Sequence, residues 1–357
     1  GAEKTPIPEI SRNGDSLVFS FSEYGAEMRS SWNGRELKGN YLRHRSSGTK
    51  SFPFVASPEA PPLSKESIRK MPQPPLGNHE VHFQDDESGR ATVARLWEDG
   101  DALYGTFIAP DGDYGLLEGK SAGSRIQLGR FTGWQAILIE LEPGGTGWSG
   151  RFYAASNEES RPFTLKEASN VDPQPSPAAV TSIKRHERAV EVTCSSLSGE
   201  TVSHEDERFK GKALVVDIMG TWCHNCLDEA PVLQEIQKQF SKDGLEVVGL
   251  SFEITDDAAL GRKNLTLYQN RFGLTYTLLF CGSLDEENVE KRLGSQLHNF
   301  FAYPTTLFID KKGRVQTIHT GFRGPGTGEL FSSQVQKFNE LAGQVVRMGV
   351  VPIGTGA

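Results

Sequence analysis

The sequence predicts an all-β antiparallel barrel or sandwich followed by an α/β domain. Three observations carry this. The chain has 357 residues, more than one ordinary core organises. Its first half is a series of short β-like runs, and 38 glycines and 19 prolines supply the turns between them. Past residues 172–177, which hold three prolines in six positions, the rhythm changes to strands alternating with helices. The expected limits are a tether at 1–13, an antiparallel β accessory domain at 14–171, a Pro-rich linker at 172–186 and the α/β domain at 187–350.

In the first domain, strands are expected at 17–21, then at 28–32 and 35–42 about the hairpin dipeptide Asn33-Gly34. Residues 91–97 and 102–108 flank an acidic, glycine-containing turn. Further strands are expected at 114–117, 125–128, 135–141 and 147–153. Residues 57–76 are rich in Pro and Ser and read as a surface loop. Trp32, Trp97, Trp134 and Trp148 are expected to be core aromatics.

In the second domain, 190–193 and 201–202 read as a small hairpin. Residues 213–219 form a continuous apolar run of the kind buried on both faces. A helix is expected from 223 to about 240, with Leu227, Ala230, Leu233, Ile236 and Phe240 on one stripe. A strand at 245–252, a helix at 256–272 ended by Gly273, a strand at 276–280 and a helix at 284–297 follow. Residues 305–310 and 314–320 form a hairpin about Lys312-Gly313, and 329–348 are a final amphipathic helix.

Charge and composition narrow the function classes. The net charge is −8 and neither half is basic, which argues against nucleic-acid partners. No apolar run approaches the ~18 residues of a membrane span. Four cysteines are too few for a disulfide scaffold of this length.

Two of those cysteines stand close together, in Trp222-Cys223-His224-Asn225-Cys226, between a buried strand and a helix. Three positions apart on a first helical turn, they can close a small disulfide ring. Unpaired N–H groups at the helix N-terminus stabilise a thiolate on Cys223, and His224 adds to this. Cys226, further inside, is suited to resolve a mixed disulfide. Half of a zinc site is the competing reading; it lacks a second close Cys/His pair. Cys194 and Cys281 are expected to be free buried cysteines rather than a mutual bridge.

From residue 190 onward the chain resembles the thioredoxin superfamily, most closely TlpA/ResA-type thiol–disulfide oxidoreductases. Four separated elements carry the resemblance: Trp222-Cys223-x-x-Cys226, the helix proline Pro231, Ala302-Tyr303-Pro304-Thr305-Thr306, and His319-Thr320-Gly321-Phe322. It implies an α/β thioredoxin fold and an extracytoplasmic reductase of protein disulfides, periplasmic or anchored by a tether upstream of Gly1. It implies no metal or organic cofactor, but a membrane or soluble redox partner that regenerates the cysteine pair. Cys223 would attack and Cys226 resolve. Trp222, Tyr303, cis Pro304 and Gly321 would line the substrate groove.

Two acids are candidate proton acceptors. Asp217 matches the buried aspartate of thioredoxin, and Glu229 the acid of the TlpA/ResA pattern; Asp217 is read as the main base. His224-Asn225 departs from the common dipeptide, so an oxidant or isomerase remains an alternative. A non-catalytic scaffold and a peroxidase are others; a peroxidase would need a threonine three residues before its cysteine, where this chain has Gly220. Residues 321–328 (GFRGPGTG) lack a phosphate-loop ending and read as a turn. His79-Glu80-Val81-His82 reads as a solvated loop. The accessory domain resembles β-domains that precede some bacterial thioredoxin-like proteins and brings no catalytic residue.

Overall fold

The computed structural model describes residues 7, 9–45, 48–57, 74–84, 91–100, 102–122, 125–133, 135–144, 147–154, 160–168, 172–174, 180–184 and 191–348. The chain divides into two compact units, 1–175 with 325–327, and 176–324 with 328–357.

Among the described residues the first unit holds two antiparallel sheets. Strands Glu9–Asn13 (β1), Ser16–Phe21 (β2), Ala26–Trp32 (β3), Leu37–Arg45 (β4) and Gly48–Ala56 (β5) form a five-stranded meander. Nine more strands follow: Gly77–Phe83 (β6), Val93–Asp99 (β7), Ala102–Ala109 (β8), Gly112–Asp113 (β9), Leu117–Ala122 (β10), Arg125–Phe131 (β11), Ala136–Gly144 (β12), Gly147–Ala154 (β13) and Arg161–Glu167 (β14). Pairing of β10 with β8 closes eight of them into a barrel. Alternate residues point inward, so Phe107, Leu128, Ile139, Leu141 and Phe163 fill its core. At the closing seam Gly119 needs to be glycine: a Cβ there would lie 1.7 Å from the Gln127 carbonyl oxygen.

Several expectations change. Part of the supposed tether is strand β1, paired along its length with β2. Residues 114–116 are not strand; the strand begins at Leu117. His79 and His82 lie on β6 rather than in a loop, three apart and so on opposite faces. Trp32 is 36% exposed and not a core residue. Trp97 stacks on Tyr104 at 5.9 Å, and Trp148 packs on the barrel core. Trp134, most of the 57–76 loop and most of the linker lie outside the described residues.

In the second unit, strands Ser182–Ile183 (β15), Thr193–Ser196 (β16), Thr201–Ser203 (β17) and Ala213–Met219 (β18) precede helix His224–Phe240 (α1). Strand Leu245–Glu253 (β19), helix Ala258–Phe272 (α2), strand Thr277–Ser283 (β20) and the single-turn helix Glu286–Val289 (α3) follow. Leu297–His298 (β21), Thr305–Ile309 (β22), Val315–Thr320 (β23) and helix Glu329–Arg347 (α4) complete the unit. The seven-stranded sheet runs β17-β16-β20-β19-β18-β22-β23; β18, β19 and β20 are mutually parallel and the other pairings antiparallel. The expected continuous helix over 284–297 is broken: a wide turn over Glu290–Gly294 follows α3, and Leu297 then pairs with Ile183. Backbone pairing with a distant segment outcompetes helix propagation there.

Cys194 and Cys281 are not free. Antiparallel pairing of Ser195 with Phe280 puts them opposite each other, Cα atoms 4.7 Å apart, and they form a disulfide. The sheet supplies the short separation that such a bond requires.

Candidate active site

The central strand β18 carries Asp217 and delivers the chain to a turn, Gly220-Thr221-Trp222, ahead of α1. The turn is tight. A Cβ on Gly220 would lie 2.2 Å from Trp222 Nε1 and 2.8 Å from the Phe252 carbonyl oxygen. Trp222 Nε1 instead donates to that carbonyl at 2.9 Å, fixing the indole. Cys223 is the N-cap of α1. Its Sγ accepts the Cys226 N–H at 3.4 Å, meeting one of the donors that every helix start leaves unpaired. Both cysteines are thiols; Cys223 is 6% exposed and Cys226 fully buried.

The Tyr303–Pro304 peptide is cis and faces this turn. The Cys223 thiol donates to the Tyr303 carbonyl at 3.4 Å. The Tyr303 ring packs edge-on against Trp222 at 5.3 Å and against Phe300 at 5.2 Å. Gly321, at φ +79°, turns the chain after β23, and its N–H donates to the Pro304 carbonyl at 2.7 Å. Thus Trp222, Cys223, Tyr303, Pro304 and Gly321, spread over a hundred residues, meet at one end of the sheet.

Behind the thiols lie buried carboxyls. In the sheet Asp217 is opposite Gly249 on one side and Thr306 on the other; neither of its oxygens has a hydrogen-bond partner. Burial pushes its pKa up to about 8. Glu229, one turn beyond Cys226 on α1, accepts the Thr306 hydroxyl at 2.6 Å through Oε1, while Oε2 is unpartnered. Burial and, secondarily, the Asp217 charge push it well above the usual carboxylate range. Burial also raises the Cys226 thiol, helped by its bond to Cys223 and by the charges of Cys223 and Asp217. The Cys226 carbonyl accepts the buried Tyr268 hydroxyl at 2.9 Å. Burial disfavours the charged form of each of these groups, so Asp217, Glu229 and Cys226 compete for protons within one buried cluster.

Sequence reasoning missed Glu253, the last residue of β19. It is fully buried and accepts the Thr221 N–H at 3.0 Å, the Thr221 hydroxyl at 2.7 Å and the Ser251 hydroxyl. Burial raises its pKa and these donors oppose the rise. Glu253 anchors the turn that presents Trp222 and Cys223. Its one signal in the sequence is an acid ending an apolar run.

Elsewhere, His82 pairs with Glu80 at 3.3 Å and His79 bonds the Pro75 carbonyl. Among the described residues no cluster of three or more His, Cys, Asp or Glu side chains can hold a metal.

The AhpC/TSA family profile matches residues 186–318. The thioredoxin-like protein YneN of Bacillus subtilis is 30% identical over 139 residues, 39% of this chain and 73% of that protein. The thiol–disulfide oxidoreductase ResA of Geobacillus thermodenitrificans is 28% identical over 136 residues, 37% of this chain and 67% of the relative. A solved thioredoxin-family thiol:disulfide interchange protein from Chlorobium tepidum shares 22% identity over 45% of this chain and 97% of its own, with a TM-score of 0.35. On its relationship to YneN, the chain belongs to the thioredoxin-like proteins, and it is similar in sequence to the ResA thiol–disulfide oxidoreductases.

Proposed function

We propose that the protein reduces disulfides of other proteins through a Cys223/Cys226 dithiol–disulfide cycle. The observation that carries this reading is the Cys223 thiol, capping α1 and set against the carbonyl of the residue preceding cis Pro304. In the first step the Cys223 thiolate attacks one sulfur of a substrate disulfide; a mixed disulfide forms and one substrate thiolate leaves. In the second, Asp217 in its ionised form takes the Cys226 proton, and the Cys226 sulfur attacks the mixed disulfide. The Cys223–Cys226 bond forms, the second substrate thiol leaves, and two electrons have passed to the substrate. Asp217 is the main proton acceptor, with Glu229 beside it. An extended substrate segment pairs with the Tyr303 backbone by β-augmentation, with Trp222 and Gly321 at its sides. A membrane or soluble thiol partner returns the pair to the dithiol.

The Cys194–Cys281 bridge supports an extracytoplasmic site of action, since such bonds persist in oxidising compartments. On this reading residues 14–171, with strand β1 before them, are an accessory domain and 187–350 the catalytic one. The test is dithiothreitol-driven insulin reduction. Acceleration by wild type, lost in Cys223→Ser, is expected. No acceleration, or full activity in Cys223→Ser, leaves a scaffold with a retained fold. The pair's potential against glutathione decides between reductant and oxidant: a strongly oxidising value would reverse the direction proposed here.

A further inference from the structure

A groove of about 390 Å³ shares Tyr303 with the site. The broken 284–297 segment builds it. Leu284, Val289, Phe300 and Tyr303 are each half-buried and pack on the main core, so their outer surfaces make apolar walls. Phe301 stands at the mouth, 44% exposed. Asn299 sets the corner before Phe300 with φ +52°, the one positive φ outside glycine among the described residues, a conformation that Asn tolerates. The rim carries an excess of acid: Glu286 and Glu290, one helical turn apart, are exposed and line the groove, beside His298. Lys184 also lines it, with its ammonium donated to the Gly294 carbonyl.

The groove is continuous with the reacting centre through one residue. The Tyr303 carbonyl accepts the Cys223 thiol, and the same residue lines the groove. A polypeptide with its disulfide at Cys223 therefore has neighbouring residues within reach of the groove. We propose that this groove is a specificity subsite that takes a bulky apolar side chain of the substrate, with an adjacent lysine or arginine on the acidic rim. The inference rests on the disulfide-exchange reading above.

The probes are glutathione mixed disulfides of short peptides with Phe-Arg before or after the cysteine, each matched to an Ala-Ser peptide, and hydroxyethyl disulfide as a small neutral control. Reduced wild-type protein should react with at least one Phe-Arg peptide about 10-fold faster than with its match, the scale of one apolar side chain in a pocket. The advantage should shrink in high salt and in Glu286→Gln/Glu290→Gln, and further in Val289→Asp. Hydroxyethyl disulfide rates should stay unchanged in all variants. Equal rates on all peptides, or an advantage that survives both variants, overturn the subsite while leaving disulfide exchange standing. The exposed Glu pair keeps the test valid should Val289→Asp fold poorly. No reaction with any probe overturns both.

Discussion

Thr306 donates its hydroxyl to Glu229 Oε1 at 2.6 Å from a position directly opposite Asp217 in the sheet. One threonine thus stands between two buried acids and connects the strand after cis Pro304 to the helix carrying Cys226. Thr306→Val removes the donor and keeps the shape. The orphaned carboxyl should cost about 1–3 kcal/mol of stability. Urea unfolding checks this, and Thr306→Ser should recover most of the loss.

Asp217 gives a pH dependence of definite sign. Its folded pKa of about 8 lies above the ~3.9 of an unfolded chain. Between those values the unfolded state has released a proton that the folded state keeps, so the stability due to this group is full below pH ~4 and falls as pH rises toward 8. Asp217→Asn cannot ionise and should lose that slope, on the order of 1 kcal/mol per pH unit in the window. Urea midpoints from pH 4 to 9 read it out. The same variant should slow the resolving step and flatten its pH profile. An unchanged exchange rate and profile would remove Asp217 from the role of base.

Glu253 acts at one remove, through Thr221. Glu253→Ala leaves the buried Thr221 N–H without its acceptor and should cost about 1–3 kcal/mol. It should also loosen Trp222, seen as a change in indole fluorescence, and slow attack by Cys223. Glu253→Gln keeps an acceptor oxygen and should restore most of the rate. A loss of stability with unchanged fluorescence and exchange would make Glu253 purely a core group.

Much of this site is legible in the sequence because local chemistry dictates it. An apolar run, a tight turn and two cysteines at helical spacing are enough to place Cys223 at the start of α1. What escapes the sequence depends on pairing between distant strands. Cys194 and Cys281 are 87 residues apart, and only the antiparallel register of β16 with β20 opposes them. Glu253 reaches Thr221 because β19 lies beside β18. In the barrel, β14 contains Pro162, and in the meander β5 contains Pro53, and neither segment is among the strands expected from the sequence. The exposed residues of β1 show no alternation, and pairing with β2 alone makes them a strand.

The Cys194–Cys281 bridge has a structural effect separable from catalysis. Replacing both residues with alanine should cost about 2–5 kcal/mol, as expected for a long closed loop. Insulin reduction per folded molecule should persist. Loss of activity in fully folded double variant would tie this second pair to the chemistry.

The central claim is that Cys223 attacks and Cys226 resolves. Trapping tests it most directly. Reduced Cys226→Ser protein is mixed with a disulfide-containing peptide, quenched in acid and weighed intact. The expected mass is protein plus one peptide half, with the peptide on Cys223, while wild type passes through to the Cys223–Cys226 disulfide. No adduct, or the same adduct in Cys223→Ser/Cys226→Ser, would contradict it.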